Sequence, residues 1–190
     1  IYLKQHPRTT EYQAQQFILK LFELNGLFNE IYAPIVAFRQ NTSHVHYFPT
    51  KRSEKLKPNS LILLDIWARL KEKDAPYADI TWIAYNGKRV PDKITSLFDI
   101  VIKARNASMA ALQKSFNTKK LPSGQAVDAA ARDYITQQGF GQQFLHSTGH
   151  VLGTHSPHGA GGRIKRTNQQ KLKINLGYTI EPGIYLPGQF

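Results

Sequence analysis

Apolar positions along the chain fall into two periods. Phe17, Ile18, Leu21, Phe22 and Leu24 recur at helical spacing, behind a start signal at Thr9 or Thr10 with Glu11 and Gln13 just beyond; Gly26 supplies a stop. Ile31 to Arg39 reads as an apolar strand, Asn41 to Tyr47 as a polar turn carrying His44 and His46, and Lys51 to Asn59 as a charged connector. Leu61 to Ala68 and Tyr77 to Tyr85 read as two buried strands, and the polar stretch Arg69 to Pro76 between them makes a hairpin. Asn86-Gly87 turns the chain away. Leu97, Ile100, Val101, Ala104, Ala107, Ala111 and Leu112 predict a helix from Ser96, its cap, to about Phe116. Ala126 to Gln138 predicts another, ended by Gly139. Two apolar segments follow, Phe144 to Leu152 and Leu176 to Leu186, split by a loop rich in Gly and Lys. Strands and helices mix without strict βαβ alternation, which argues for an α+β fold with an antiparallel sheet.

Composition narrows the function classes. The 190 residues, 41% of them hydrophobic, suffice for one domain with a core. No apolar run approaches the ~18 residues of a membrane helix, so no membrane partner is expected. Lys4, His6 and Arg8 near the start argue against a signal peptide. The absence of cysteine excludes disulfides, thiolate zinc sites and a cysteine nucleophile, and fits a cytoplasmic protein. The net charge of +12 raises the question of nucleic acid. The basic residues are dispersed, in Lys51 to Lys57, at Lys119 and Lys120, and in Arg163 to Lys173, with no interleaved stacking aromatics. That pattern reads as a solvated basic surface and no nucleic-acid partner. A first residue Ile1, a single methionine at Met109 and a last residue Phe190 just past a strongly patterned segment read as a chain cut at both ends.

The candidate chemistry lies where polar side chains interrupt apolar strands. Asp65 sits in Leu63-Leu64-Asp65-Ile66-Trp67, and Asp79 in Tyr77-Ala78-Asp79-Ile80-Thr81-Trp82. A buried carboxylate is costly unless paired, hydrogen-bonded or bound to a metal. In a hairpin the two can share one face, and a divalent cation between them removes their repulsion. His146, His150, His155 and His158 fall within thirteen positions, among glycines that permit close backbone approach. Glu181 ends an apolar run immediately before Pro182-Gly183. Two Asp, one Glu and one His make an oxygen-rich set that suits Mn²⁺, Co²⁺ or Zn²⁺, and three acids exceed what one catalytic ion usually takes.

Taken in order, Leu63-Leu64-Asp65-Ile66, Tyr77-Ala78-Asp79-Ile80-Thr81, His146-Ser147-Thr148-Gly149-His150 and Thr179-Ile180-Glu181-Pro182-Gly183-Ile184-Tyr185 resemble the four signatures of pita-bread metallopeptidases. The match runs from about residue 9 to the end. Glu-Pro-Gly-Ile-Tyr is closer to the Xaa-Pro aminopeptidase (aminopeptidase P) and prolidase branch than to methionine aminopeptidase. Asp-Ile-Trp-Ala and Asp-Ile-Thr-Trp look like a bacterial subgroup of Xaa-Pro peptidases.

The resemblance implies a curved, mainly antiparallel sheet covered by helices and incomplete at the C-terminus. Residues 1–190 would be a partial catalytic domain, without the accessory amino-terminal domain of larger members. Two divalent metal ions would be held by Asp65, by Asp79 as a bridge, and by His150 and Glu181, with manganese expected and cobalt or zinc as alternatives. His46 matches the family's upstream histidine near the substrate, His146 the histidine four residues before the ligand His150, and His158 the one that contacts substrate, and Glu181 would double as proton shuttle. His158 stands eight positions after His150 and His155 five, where the family has seven, so either could be the downstream histidine. The implied reaction is hydrolysis of an N-terminal Xaa-Pro bond by a metal-bridging hydroxide, on peptides with proline second. The implied location is the cytoplasm, with a homo-oligomer of the full-length parent left open. The family's fifth ligand, a second bridging glutamate, lies beyond Phe190, so the fragment itself is expected to bind metal poorly. The alternative is a pita-bread module that has lost catalysis and binds peptides or proteins.

Overall fold

The computed structural model describes residues 1–30, 32–118 and 120–190. The proposed strand start at Ile31 and the basic position Lys119 lie outside them. The chain divides into two compact units, residues 1–90 with 185–190, and residues 91–184.

In the first unit, a four-residue helix α1 (Tyr2–Gln5) precedes α2 (Glu11–Leu24). Thr10 caps α2 by accepting from Gln13 N at 3.1 Å while Gln13 Oε1 accepts from Thr10 N at 2.9 Å, a reciprocal box. Gly26, at φ +65°, lets the chain reverse after it. Strands β1 (Leu27–Phe28), β2 (Ile35–Phe38), β3 (Ser60–Leu70) and β4 (Ala78–Asn86) follow. β3 is central and pairs antiparallel with all three. β2 is shorter than the strand read from residues 31–39. Pro34 precedes it, and Arg39 at φ +55° turns it into a 3-10 segment, Arg39–Ser43.

One face of this sheet packs on α2: Val36, Phe38, Ile62 and Leu64 meet Ala14 and Ile18. The opposite face carries Ile35, Ala37, Leu63 and Trp67 against Tyr47 and Tyr77. The charged connector is more than a linker. Leu56 is buried, Leu56 N donates to Thr9 O at 2.8 Å, Glu11 N donates to Glu54 O at 3.0 Å, and Lys55 bridges to Thr10. The expectation of two buried strands holds in part. β3 is half to fully buried over most of its length, but β4 exposes Ile80 at 47% and Trp82 at 62%. An apolar sequence marked the strand correctly and its burial incorrectly.

In the second unit, α3 (Asp92–Asn117) and α4 (Gly124–Gln137) pack through Ala104, Ala131 and Ile135 with Phe144; the alanines are fully buried, which lets the helix backbones approach. α3 begins four residues before Ser96, so Ser96 is not its cap; Pro91 holds that position and Asp92 lies in the first turn, where its charge suits the helix dipole. Ser123 caps α4 by accepting from Ala126 N at 3.1 Å, and Gly139 follows at φ +87°. Strands β5 (Gly149–Leu152) and β6 (His158–Ile164) pair antiparallel. β6 occupies what the sequence suggested was a loop, and it accommodates Gly161 and Gly162 at φ +151° and +114°. The apolar run from Leu176 forms no strand. It still tracks β5 antiparallel, through Leu152 N to Gly177 O at 2.9 Å, Thr179 N to His150 O at 2.9 Å and Glu181 N to Thr148 O at 2.8 Å.

Candidate metal centre

In the first unit, β3–β4 pairing sets Asp65 opposite Thr81 and Trp67 opposite Asp79. Directly opposed residues share a sheet face, as do residues two apart on one strand. Asp65 and Asp79 are therefore diagonal neighbours on one face, as the hairpin reading required, at a Cα separation of about 7–8 Å typical of such pairs. Thr81 Oγ1 donates to Asp65 Oδ1 at 3.0 Å. Both carboxylates are half-buried, so the picture of acids sunk deep in apolar strands is too strong for them.

The second unit repeats the device. His150 on β5 is opposite Thr179, and Glu181 lies two residues on. Thr179 Oγ1 donates to Glu181 Oε1 at 2.8 Å, and His150 N donates to Thr179 Oγ1 at 3.0 Å. His150 is 4% exposed, its Nε2 lies 3.3 Å from Glu181 Oε1, and its Nδ1 lies 3.0 Å from the Val151 carbonyl oxygen. That oxygen can only accept, so Nδ1 carries a hydrogen and Nε2 is the atom aimed at the carboxylate.

The remaining histidines separate. The His158 ring stands edge-on to His150 with centroids 4.2 Å apart, and His155 has its Nδ1 3.0 Å from Thr154 Oγ1; both side chains are exposed. His146 packs edge-on against Phe144, and its Nδ1 meets the Ser147 carbonyl oxygen at 2.8 Å. His46 is exposed in the turn after the 3-10 segment. Among the described residues no three His, Asp or Glu side chains gather closely enough to hold an ion. Within the first unit Asp65 and Asp79 share a sheet face, and within the second His150 meets both Glu181 and His158.

Two buried carboxylates escaped the sequence reading. Glu11, in the first turn of α2, is fully buried. It accepts from Phe38 N at 2.7 Å, Asn41 Nδ2 at 3.0 Å, Tyr47 Oη at 2.6 Å and Glu54 N at 3.1 Å. It thereby ties the helix to both ends of the loop that carries His46. Asp128, on α4, is also fully buried and binds Arg132 one turn on, at 2.7 and 3.0 Å. An acid at a helix start, or an Asp–Arg pair at i, i+4, looks in sequence like an ordinary solvated face.

Set beside known proteins, the chain belongs to metallopeptidase family M24, whose sequence description matches residues 2–190. It is 31% identical over 186 residues to an uncharacterized peptidase of Schizosaccharomyces pombe, covering 96% of this chain and 38% of that one. It is 29% identical over 175 residues to an Xaa-Pro dipeptidase of Lactobacillus helveticus, covering 92% and 44%. Its structure superposes on an X-Pro aminopeptidase from Thermotoga maritima with a TM-score of 0.84 at 26% identity, covering 96% and 48%. The chain thus spans half or less of the length of these relatives. The fold is the pita-bread fold that the four motifs implied. Among the described residues no helix is long and apolar enough to cross a membrane.

Proposed function

We propose that residues 1–190 are part of the catalytic domain of a cytoplasmic peptidase that hydrolyses N-terminal Xaa-Pro bonds with two divalent metal ions, manganese first among them. Asp65, Asp79, His150 and Glu181 are the proposed ligands. The observation that carries the reading is the His150–Glu181 contact. With Nδ1 donating to Val151, a neutral His150 directs the Nε2 lone pair at a carboxylate oxygen 3.3 Å away. Two acceptors facing each other at that distance need a cation or a proton between them. An imidazole oriented by a backbone carbonyl beside a carboxylate oriented by a hydroxyl is how metal ligands are commonly held. Asp65, oriented by Thr81 and diagonal to Asp79, offers oxygen donors suited to the same ions.

When bound, the ions supply a water acidified to near neutral pH. Glu181 takes the proton of the attacking water. His158 and His46 donate hydrogen bonds to the developing oxyanion and to the substrate. The preference for proline follows from a ring that fixes φ and removes an amide hydrogen, so a pocket for it needs no amide acceptor.

Asp79→Ala and His150→Ala, each made in the longest natural polypeptide carrying this sequence, are expected to abolish release of the first residue from an Xaa-Pro peptide with Mn²⁺. Undiminished turnover in either rejects the site. A metal titration that finds no stoichiometric ion favours the inactive, peptide-binding module instead.

A further inference from the structure

Arg132 holds more than its partner. Its Nη1 donates to Phe144 O at 3.0 Å, its Nη2 donates to His146 O at 2.8 Å, and its guanidinium lies 4.0 Å from the Phe144 ring centre. Asp128 Oδ1, besides its bond to Arg132, accepts from Thr148 Oγ1 at 2.8 Å and Thr148 N at 3.3 Å. Thr148 is fully buried, and its carbonyl oxygen accepts from Glu181 N at 2.8 Å. One carboxylate therefore governs, through Thr148, the backbone two residues before His150 and the backbone of Glu181 itself. A bidentate Arg–carboxylate pair is geometrically specific, and a buried acid without its donors is costly, so the arrangement has one low-energy form.

We infer that Asp128 is a positioning residue for the His150–Glu181 pair, acting through Thr148 and Arg132. It touches neither substrate nor ion. It sets the spacing at which Nε2 and Oε1 face one another, so its loss loosens a cation site without removing a ligand. The inference rests on the metal reading of His150 and Glu181, and the test separates the two.

The probes are Mn²⁺ alone, titrated calorimetrically into the longest natural polypeptide carrying the sequence, and amide hydrogen exchange over 144–150 and 177–181. Asp128→Asn is expected to weaken Mn²⁺ affinity by about 10–100-fold, the usual cost of removing a group that orients a ligand. It should also strip protection from the Glu181 amide while the amides of α3 stay protected. Thr148→Val, which deletes only the hydroxyl, should give a smaller loss of the same kind and serves if the Asn variant does not fold. Asp133→Asn, on the exposed side of the same helix, should change neither reading. Unchanged affinity and unchanged Glu181 protection in both Asp128→Asn and Thr148→Val overturn the inference. If the parent protein takes up no Mn²⁺, the metal reading fails, and Glu181 protection alone still decides whether Asp128 positions the pair.

Discussion

Gly149→Ala is expected to disrupt the His150 segment more than any other single methyl group added there. A Cβ at this position would lie 1.9 Å from the carbonyl oxygen of Thr179 and 2.8 Å from its carbonyl carbon. Both are backbone atoms, so no rotamer relieves the clash, and the run Gly177–Glu181 would have to move off β5. That movement breaks the Thr179 N bond to His150 O and the His150 N bond to Thr179 Oγ1, both near 3 Å. Overpacking of a tight site costs about 1–3 kcal/mol, more where backbone must shift, and two hydrogen bonds add about 1 kcal/mol each. A fall in melting temperature, with loss of Mn²⁺ uptake in calorimetry, would check this. A Gly149→Ala protein with parental melting and metal uptake would refute the requirement for glycine beside the Thr179 backbone.

Glu11→Ala is the second large effect. It leaves the amides of Phe38 and Glu54 without their buried acceptor and releases the hydroxyl of Tyr47 and the amide of Asn41. Buried orphaned donors cost about 1–3 kcal/mol each. Even with water entering the space, a loss of about 3–5 kcal/mol is expected, against a total of about 5–15 kcal/mol for a typical domain. Glu11→Gln should also destabilise, because its NH₂ would face donors. Urea melts of both variants measure it, and a loss under ~1 kcal/mol in Glu11→Ala would refute the role. The network also has a pH signature. Burial first, then the bond to Glu11, pushes the Tyr47 hydroxyl up from 10.0 to about 12. The folded chain thus favours the protonated phenol. Its contribution is intact below the unfolded value near 10 and is lost as pH rises through about 12. Tyr47→Phe should abolish that alkaline component of the stability curve.

The legible parts of the sequence were those with a strong local signal. The capping box at Thr10, the hairpin around residues 69–76 and the helix over Gly124–Gln137 all carry their cause within a few residues. So do Asp65 and Asp79, because alternation along paired strands puts them on one face without further information. The glycine-rich strand His158–Ile164 was missed because its pairing partner, not its own propensity, makes it a strand. The run after Leu176 is apolar in sequence yet forms no strand. It follows β5 through alternate hydrogen bonds and then meets Pro182, which cannot donate. Spacing alone leaves both His155 and His158, five and eight positions after His150, open as the downstream histidine. Glu11 and Asp128 were invisible because burial of a helix acid depends on what packs over it.

The stitch between residues 9–11 and 54–56 has an evolutionary corollary. It fastens the C-terminal end of the stretch that includes the exposed turn around His46, and the Glu11 carboxylate on Phe38 N fastens the other, so extra residues inserted there would not be transmitted to the β3–β4 hairpin. Lengthening a tethered loop costs little, about 0.6 kcal/mol for each doubling. An insertion at that turn is thus expected to change how far His46 reaches while the carboxylate-bearing strands keep their register.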